Sequence, residues 1–444
     1  MISIVHITSH LGGGVGRALS ALTEEMSCVY PDVRHVFLCL EKLQKTQFAE
    51  AIQNAGGILL EEPSKEQIEF FINDADLVQV EWWNHPLLIS ALTHISVKPR
   101  RIVVWAHQSG LVNPIFPKGL IEGVSRFILT SPCSIHSNEI RKARPHTINR
   151  IKVISSAGIS DSFQTPERQE KCSGELSVGY VGSFNFSKLH PQFVDWLSEV
   201  NDPNFQVKMV GDRINSEVLL AQCASINRPN LLEFMGYSTQ TELVIGGWDV
   251  TPYLLNPRHY GTAENSLLEC MLMGVIPIVL NNHAEREIVS NGQTGFIVNS
   301  PSEFSEIINF LKNSPLKRSE ISQMASREIR RRFSVSKMAE KFMNLYAEVL
   351  IEPMLATNFK AIFGESPSDW FLSCQESGSV FRNFKGFDKM KLNDLPHDVF
   401  DISKGSVSQF HQFFPEDSRL KEWHNLIEKN RSCKYRSHTH DKKN

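Results

Sequence analysis

The chain of 444 residues contains no CxxC pair. Its eight cysteines, Cys28, Cys39, Cys133, Cys172, Cys223, Cys270, Cys374 and Cys433, are scattered. This spacing excludes a disulfide framework and a cysteine zinc site, and reads as reduced packing residues of a cytoplasmic protein. Positive charge is not in excess: Lys+Arg 46 against Asp+Glu 49 leaves a net charge of -3. Nucleic acid is therefore excluded as the main partner, because phosphate binding calls for a basic surface. No apolar run reaches the length of a membrane span. The opening "MISIVHITSH" has no basic leader, so no signal peptide is expected. The expected location is cytoplasmic, with any membrane contact peripheral and at the inner face. No GK[ST] follows the glycine-rich stretch, which excludes a Walker loop. No DxD stands at a strand end, since "DAD" (74–76) precedes a strand. The histidines of "SHTH" near the end lack a partner set. Neither a metal nor a cofactor is expected, and no solenoid repeat is found.

What is present is a globular composition, 41% hydrophobic and 21% charged, on a chain long enough for two domains. "ISIVHIT" opens it as a buried parallel strand. "HVFLCL" (35–40), "DLVQVEW" (76–82), "RIVVWAH" (101–107) and "RFILTS" (126–131) are further strand candidates, with helical segments between several of them. After a polar, turn-rich linker between about Asp161 and Gly174 the alternation restarts. "SVGYVGSF" (177–184), "FQVKMVGD" (205–212), "NLLEFMGY" (230–237), "DVTPYLL" (249–255), "VIPIVL" (275–280) and "TGFIV" (294–298) are its strands. Alternating strands and helices imply an α/β fold with two parallel-sheet units. The boundaries are residues 1–165, 170–350, and an extension, 351–444, rich in Phe, Trp, Ser and Asp. Within it "KGSVSQFHQFFPEDSRLKEWHNLI" reads as ordered, and the last stretch, "RSCKYRSHTHDKKN", as disordered.

Two stretches carry chemistry. Gly12, Gly13, Gly14 and Gly16 follow the first strand and open a helix. Glycine lets backbone N–H groups approach an anion at the helix start. A tight strand-to-helix turn would use the same residues, and both readings stay open. Arg17 is either an assisting cation or a solvated helix residue. The second stretch is "NPRHYGTAENSLLECMLMGVIPIVL" (256–280). Leu267, Leu268, Met271 and Leu272 form an apolar helical face, and Gly274 suits the C-terminal cap. Glu269 lies among those apolar neighbours, where an unpaired carboxylate is costly and calls for a hydroxyl-bearing ligand or a basic partner.

"ENSLLECMLMGVIPIVLNNHAEREIVSNGQTGFIV" resembles the donor-binding signature of retaining GT-B glycosyltransferases of family 4 (glycosyl transferases group 1). Glu269, Gly274, Pro277, Glu287, Val289, Gly292, Thr294 and Gly295 match its pattern. The resemblance extends over roughly residues 1–350 and is looser in the N-terminal half. It implies a GT-B fold, two Rossmann-like domains facing a cleft, with an acceptor-binding N-terminal domain and a C-terminal domain for a nucleotide-sugar. It implies that Glu269 receives the ribose hydroxyls, and that N–H groups of Asn265, Ser266 and Leu267 hold the diphosphate. Lys188 in "YVGSFNFSKLHP" matches the phosphate-binding lysine. His107 in "VVWAHQSG" matches the histidine near the reacting sugar, and Gly13 and Gly14 match the glycine loop. "FMGY" (234–237) matches the segment flanking the nucleobase. The implied reaction is metal-independent transfer of a hexose, with retention, from a UDP- or GDP-sugar to a carbohydrate, lipid-linked or protein acceptor, in glycan or glycoconjugate synthesis.

The sequence departs from the pattern twice. Gly261 stands where the first glutamate is expected, and Glu264 lies three residues on. Either Glu264 takes over the sugar contact, or Arg258 or His259 in a rebuilt "RHYGTAEN" shares it. Ser183 stands where the pattern has an arginine, so one phosphate partner is missing unless Arg17 or Arg258 replaces it. These departures motivate the alternative of a non-catalytic nucleotide-sugar-binding protein; a GT-B epimerase or hydrolase shares the fold. "VEWWNHPLL" (80–88) offers aromatic faces to a sugar or, equally, a packed strand end. "REIRRRF" (327–333) is either solvated or touches an acidic membrane surface.

Overall fold

The computed structural model describes residues 1–44, 46–159, 176–238, 240–262, 264–382 and 405–437. They form two compact units. The first comprises Met1–Thr130, Ser134–Ser156 and the described residues from Ala339 onward, and the second Ser131–Cys133 and the described residues of Ala157–Met338.

In the first unit the strands are β1 (Ile2–Thr8), β2 (Val33–Cys39), β3 (Ile58–Glu61), β4 (Leu77–Trp82), β6 (Ile102–Ala106), β7 (Arg126–Leu129) and β8 (Ile151–Val153). They build one parallel sheet in the order β3-β2-β1-β4-β6-β7-β8. A short β5 (Pro99–Arg100) pairs antiparallel with β15 (Leu355–Ala356). The central strands are buried on both faces, which is why they read as continuous apolar runs. Besides the short β5 and β15, two strands of the parallel sheet fall outside the sequence expectation. β3 is a four-residue edge with both end residues exposed, and β8 lies in the polar approach to the linker. Neither presents a buried run to recognise.

The extension completes this unit. Helices Phe359–Phe363, Pro367–Ser373, Val407–Phe413 and Ser418–Ser437 follow β15. Phe359, Phe363, Trp370, Phe371, Phe410 and Trp423 share one core with Trp82, Leu88, Leu92 and Phe116. Helix Ser418–Ser437 runs into the stretch expected to be disordered, as far as Ser437; the remainder of that stretch lies outside the described residues. The tryptophans of "VEWWNHPLL" are packed, not presented to a sugar. Trp82 is fully buried and stacks on Phe363, with ring centroids 5.5 Å apart, and the buried Trp83 lies between His10 and His85. Asp76 of "DAD" is equally structural, because its carboxylate accepts from the Ser3 N–H at 2.8 Å.

In the second unit β9 (Val178–Val181), β10 (Val207–Val210), β11 (Leu232–Gly236), β12 (Val250–Tyr253), β13 (Ile276–Leu280) and β14 (Phe296–Val298) are ordered β11-β10-β9-β12-β13-β14 and are again parallel. Part of the recognised tail pattern shapes the fold directly. A Cβ at Gly295 would stand 2.5 Å from Pro277 Cγ, and Thr294 Oγ1 accepts from the Ser290 N–H at 2.9 Å. In the basic helical stretch Arg331 pairs with Glu328, and Arg332 donates to the carbonyls of Glu287 and Ile288. The linker Asp161–Gly174 lies outside the described residues. Among the described residues no helix is long and apolar enough to cross a membrane, and no cluster of metal-ligating side chains occurs.

Candidate functional site

The strands β9 and β12 lie side by side, and the chain leaving each is tied to the other. His190 N–H donates to Leu254 O at 3.0 Å, and Asn256 N–H to Lys188 O at 2.7 Å. The Asn256 side-chain amide donates to Phe186 O at 2.8 Å. These bonds bring the loop carrying Ser183 and Lys188 against the segment carrying Arg258, His259 and Glu264.

An alternating charge array results. Lys188 Nζ stands 3.2 Å from Glu264 Oε2, with the lysine side chain 32% exposed and the glutamate 2%. Tyr253 donates its hydroxyl to the same Oε2 at 2.7 Å. His259 Nδ1 lies 3.6 Å from Glu264 Oε1, and its Nε2 lies 3.1 Å from Glu285 Oε2. Asn282 donates to Glu285 Oε1 at 3.2 Å. Burial pushes the Glu264 pKa up, but Lys188, His259 and the Tyr253 hydroxyl outweigh it and hold it below the ordinary carboxylate value. For His259 burial acts downward, and Glu285 together with Glu264 more than reverses it, so its pKa is raised. Gly261 N–H donates to His259 Nδ1 at 3.1 Å. The neutral ring therefore carries its proton on Nε2, toward Glu285.

Glu264 also opens the helix Asn265–Leu272 from a left-handed backbone, φ 41° and ψ 56°, and makes no side-chain cap bond. Its carboxylate is turned to Lys188 instead, so the helix start is left for another anion. The Leu267 N–H donates within the first turn to Glu264 O at 2.9 Å. Asn265 Oδ1 is buried with no hydrogen-bond partner among the described residues. Glu269 is half-buried on the same helix.

Ser183 shapes its loop, since its hydroxyl accepts from the Asn185 N–H at 3.3 Å and its carbonyl from the Tyr180 hydroxyl at 3.1 Å. Arg258 is exposed, and its N–H donates to Asn256 Oδ1 at 2.9 Å. In the first unit, Gly13 and Gly14 are exposed at the start of helix Gly13–Val29. Gly13 has φ +58°, and a Cβ at Gly16 would stand 2.3 Å from Leu11 O. The tight-turn reading of the loop therefore holds at Gly13 and Gly16. His107 follows β6, with Nε2 2.9 Å from Glu81 Oε2.

The structure thus brings Lys188 against Glu264, with Asn265 and Ser266 next to Glu264 at the helix start; Ser183, Arg258, Leu267 and Glu269 lie in the same unit, and Gly13, Gly14 and His107 in the first. Sequence reasoning missed Tyr253, Glu285, Glu81 and His6. Glu81 had a readable signal, an acidic residue inside the apolar strand "LVQVEW". Glu285 had none, because "NNHAERE" reads as a polar loop.

A family model described as Glycosyl transferases group 1 matches residues 175–313, inside the second unit. An uncharacterised 41.2 kDa protein of the cps region of Klebsiella pneumoniae is 25% identical over 158 residues. That match covers 34% of this chain and spans 42% of the relative. Among solved structures, a glycosyltransferase from Rickettsia africae is similar with TM-score 0.61 at 17% identity, covering 79% of this chain and 99% of that one. Anabaena HepE in complex with UDP is similar with TM-score 0.61 at 17% identity, covering 78% of this chain and all of that one (100%). These likenesses establish the fold: two Rossmann-like units as in GT-B glycosyltransferases.

Proposed function

We infer that this chain is a glycosyltransferase that moves a sugar from a nucleotide-diphosphate-sugar to a hydroxyl acceptor. The observation that carries the reading is Lys188 Nζ, partly exposed and held 3.2 Å from buried Glu264, the residue that opens helix Asn265–Leu272. An ammonium beside a helix start suits a leaving diphosphate, whose negative charge grows as the glycosidic bond breaks. In this reading Glu264 orients Lys188 rather than meeting the sugar, and Asn265 and Ser266 offer N–H groups to the phosphates. Glu269 accepts from the ribose hydroxyls, and His107 meets a sugar hydroxyl. The family match spans Lys188 and this helix, and the similar HepE has been crystallised with UDP and with UDP-glucose. A UDP-hexose donor, transfer with retention, no metal requirement and an acceptor in glycan synthesis complete the proposal.

A thermal-shift panel of UDP-, GDP- and ADP-sugars tests it, because a ligand that binds the native state raises stability by mass action. Donor consumption is then followed with acceptor mixtures and with water. One observation favours a second reading: the Glu264 carboxylate already has Tyr253, Lys188 and His259 around it. If a donor binds yet is never consumed, the chain is a nucleotide-sugar-binding protein and the transferase reading falls.

A further inference from the structure

Beneath His107 a run of buried polar side chains crosses the first sheet. His107 Nε2 stands 2.9 Å from Glu81 Oε2, and His6 Nδ1 stands 3.1 Å from Glu81 Oε1. Gln79 donates to the same Oε1 at 2.8 Å, and the Tyr346 hydroxyl donates to Gln79 Oε1 at 2.7 Å. His6 Nε2 lies 2.9 Å from His35 Nδ1. His6, Gln79 and Glu81 have no solvent exposure (0%). Strand register makes the juxtaposition: His6 on β1 faces Gln79 on β4, and Glu81 is paired with Trp105, two residues before His107.

The donors and acceptors fix the protons. Burial pushes Glu81 toward its neutral form, but the bonds from His107 and His6 outweigh it and hold its pKa down at about 2. An ionised carboxylate only accepts. His107 must therefore donate from Nε2, and His6 from Nδ1. A neutral His6 then accepts at Nε2, so His35 donates from Nδ1. His35 Nε2 is left bare, which agrees with its having no hydrogen-bond partner. It also agrees with a His35 pKa lowered to about 3 by burial and by His6. His107 and His6 thus share one buried carboxylate. Among the described residues Nδ1 of His107 has no protein partner. With the proton held on Nε2, that nitrogen is an acceptor.

We propose that Glu81, backed by His6 and His35, is a positioning residue that locks His107 as its Nε2–H tautomer and dedicates Nδ1 to accepting a hydrogen bond from a substrate hydroxyl. Only the identity of that hydroxyl, on a sugar, rests on the transferase reading; the tautomer is a property of the free protein. A buried network that merely stabilised the sheet would leave the choice of tautomer without effect on turnover.

Selective ¹⁵N-histidine labelling with long-range proton–nitrogen NMR at about pH 8, above the ordinary histidine range, reads the tautomer directly. His107 is assigned by the signals lost in His107→Asn. The wild-type protein is expected to show a protonated Nε2 and a bare Nδ1. Glu81→Gln, whose amide can donate to the ring, is expected to shift His107 toward Nδ1–H. With a turnover-competent donor and acceptor, the same variant is expected to lower kcat roughly tenfold to a hundredfold with donor KM little changed, the effect of one misdirected hydrogen bond. A wild-type His107 protonated on Nδ1 overturns the proposal, and so does an unchanged tautomer in Glu81→Gln. A changed tautomer with unchanged kcat overturns the assignment of Nδ1 to substrate. If Glu81→Gln does not fold, the wild-type spectrum still decides the tautomer. Absence of any wild-type turnover removes the transferase reading, and the NMR result stands apart from it.

Discussion

Glu264 Oε1 occupies the space that a side chain at Gly261 would need: an ideal Cβ at Gly261 would lie 1.9 Å from it. The carboxylate of Glu264 thus reaches back over Gly261, the position where a glutamate is expected. The left-handed backbone of Glu264, φ +41°, makes that return possible, at a local cost on the order of 1–2 kcal/mol for a non-glycine residue. Gly261→Glu is expected to destabilise the protein, because two carboxylates would compete for one buried place. The double variant Gly261→Glu with Glu264→Gly should recover much of the loss, with a coupling of about 0.5–3 kcal/mol. Thermal unfolding of both variants checks this. A double variant no more stable than the single one would show that the two positions do not share the space.

Lys188, partly exposed beside Glu264, is the cation proposed to meet a diphosphate. Lys188→Ala is expected to lower turnover by about 10²–10³-fold, the scale on which a preorganised charge stabilises a developing anion. It also leaves Glu264 with one partner fewer. Lys188→Arg separates charge from shape: it keeps the positive charge but replaces the compact ammonium by a planar fork. Single-turnover rates with the donor found by the thermal-shift panel are the measurement, and wild-type rates in Lys188→Ala would remove the residue from the site.

The buried histidines respond to pH in opposite directions. The folded pKa of His259 is raised. Its stabilisation is therefore fully present below the unfolded value of about 6.5 and is lost as pH rises through the folded pKa. His259→Gln should cost more at about pH 6 than at about pH 9, read as the difference in urea midpoint from wild type. The folded pKa of His35 is lowered from 6.5 to about 3, and that of Glu81 from 4.5 to about 2. The unfolded chain takes up both protons first. Stability should therefore fall as pH drops below 6.5 through His35, and again below 4.5 through Glu81. A His259→Gln cost that is the same at both pH values would refute the raised assignment.

The extension belongs to the core of the first unit. Phe410→Ala, at a fully buried position (0% exposed), is expected to destabilise by about 3–5 kcal/mol. Leu316→Ala, at an 83% exposed position, should stay within about 0.5 kcal/mol. Denaturant unfolding of the two variants makes the comparison, and equal effects would show that the extension is dispensable to the fold.

Much of this architecture is legible in the residues alone. Long buried runs such as "ISIVHIT" and "RIVVWAH" identify central parallel strands because both of their faces meet apolar layers. The helix at Asn265 is legible from the spacing of Leu267, Leu268, Met271 and Leu272 and from Gly274 after it. Ile58–Glu61 is not, since a short edge strand has no buried face to give it a period. Glu264 and Lys188 are legible as candidate site residues, but not as partners, because their encounter depends on β9 and β12 lying side by side. Glu285 looks like one acid in a polar loop until His259, 26 residues earlier, is found against it. The aromatics of the extension show weak periodicity because several short helices share out what one long helix would repeat.

The first unit draws on both ends of the chain, whereas most of the second comes from one stretch, Ala157–Met338. During synthesis the second unit can reach its full set of contacts while the first still lacks Phe359, Trp370, Phe410 and Trp423. The usual order, in which the N-terminal domain matures first as the ribosome advances, is therefore reversed. The apolar face around Trp82, Leu88 and Phe116 emerges early and has to wait for its cover. Until the helices after Ala339 join it, that face lacks the aromatic side chains that cover it in the folded unit.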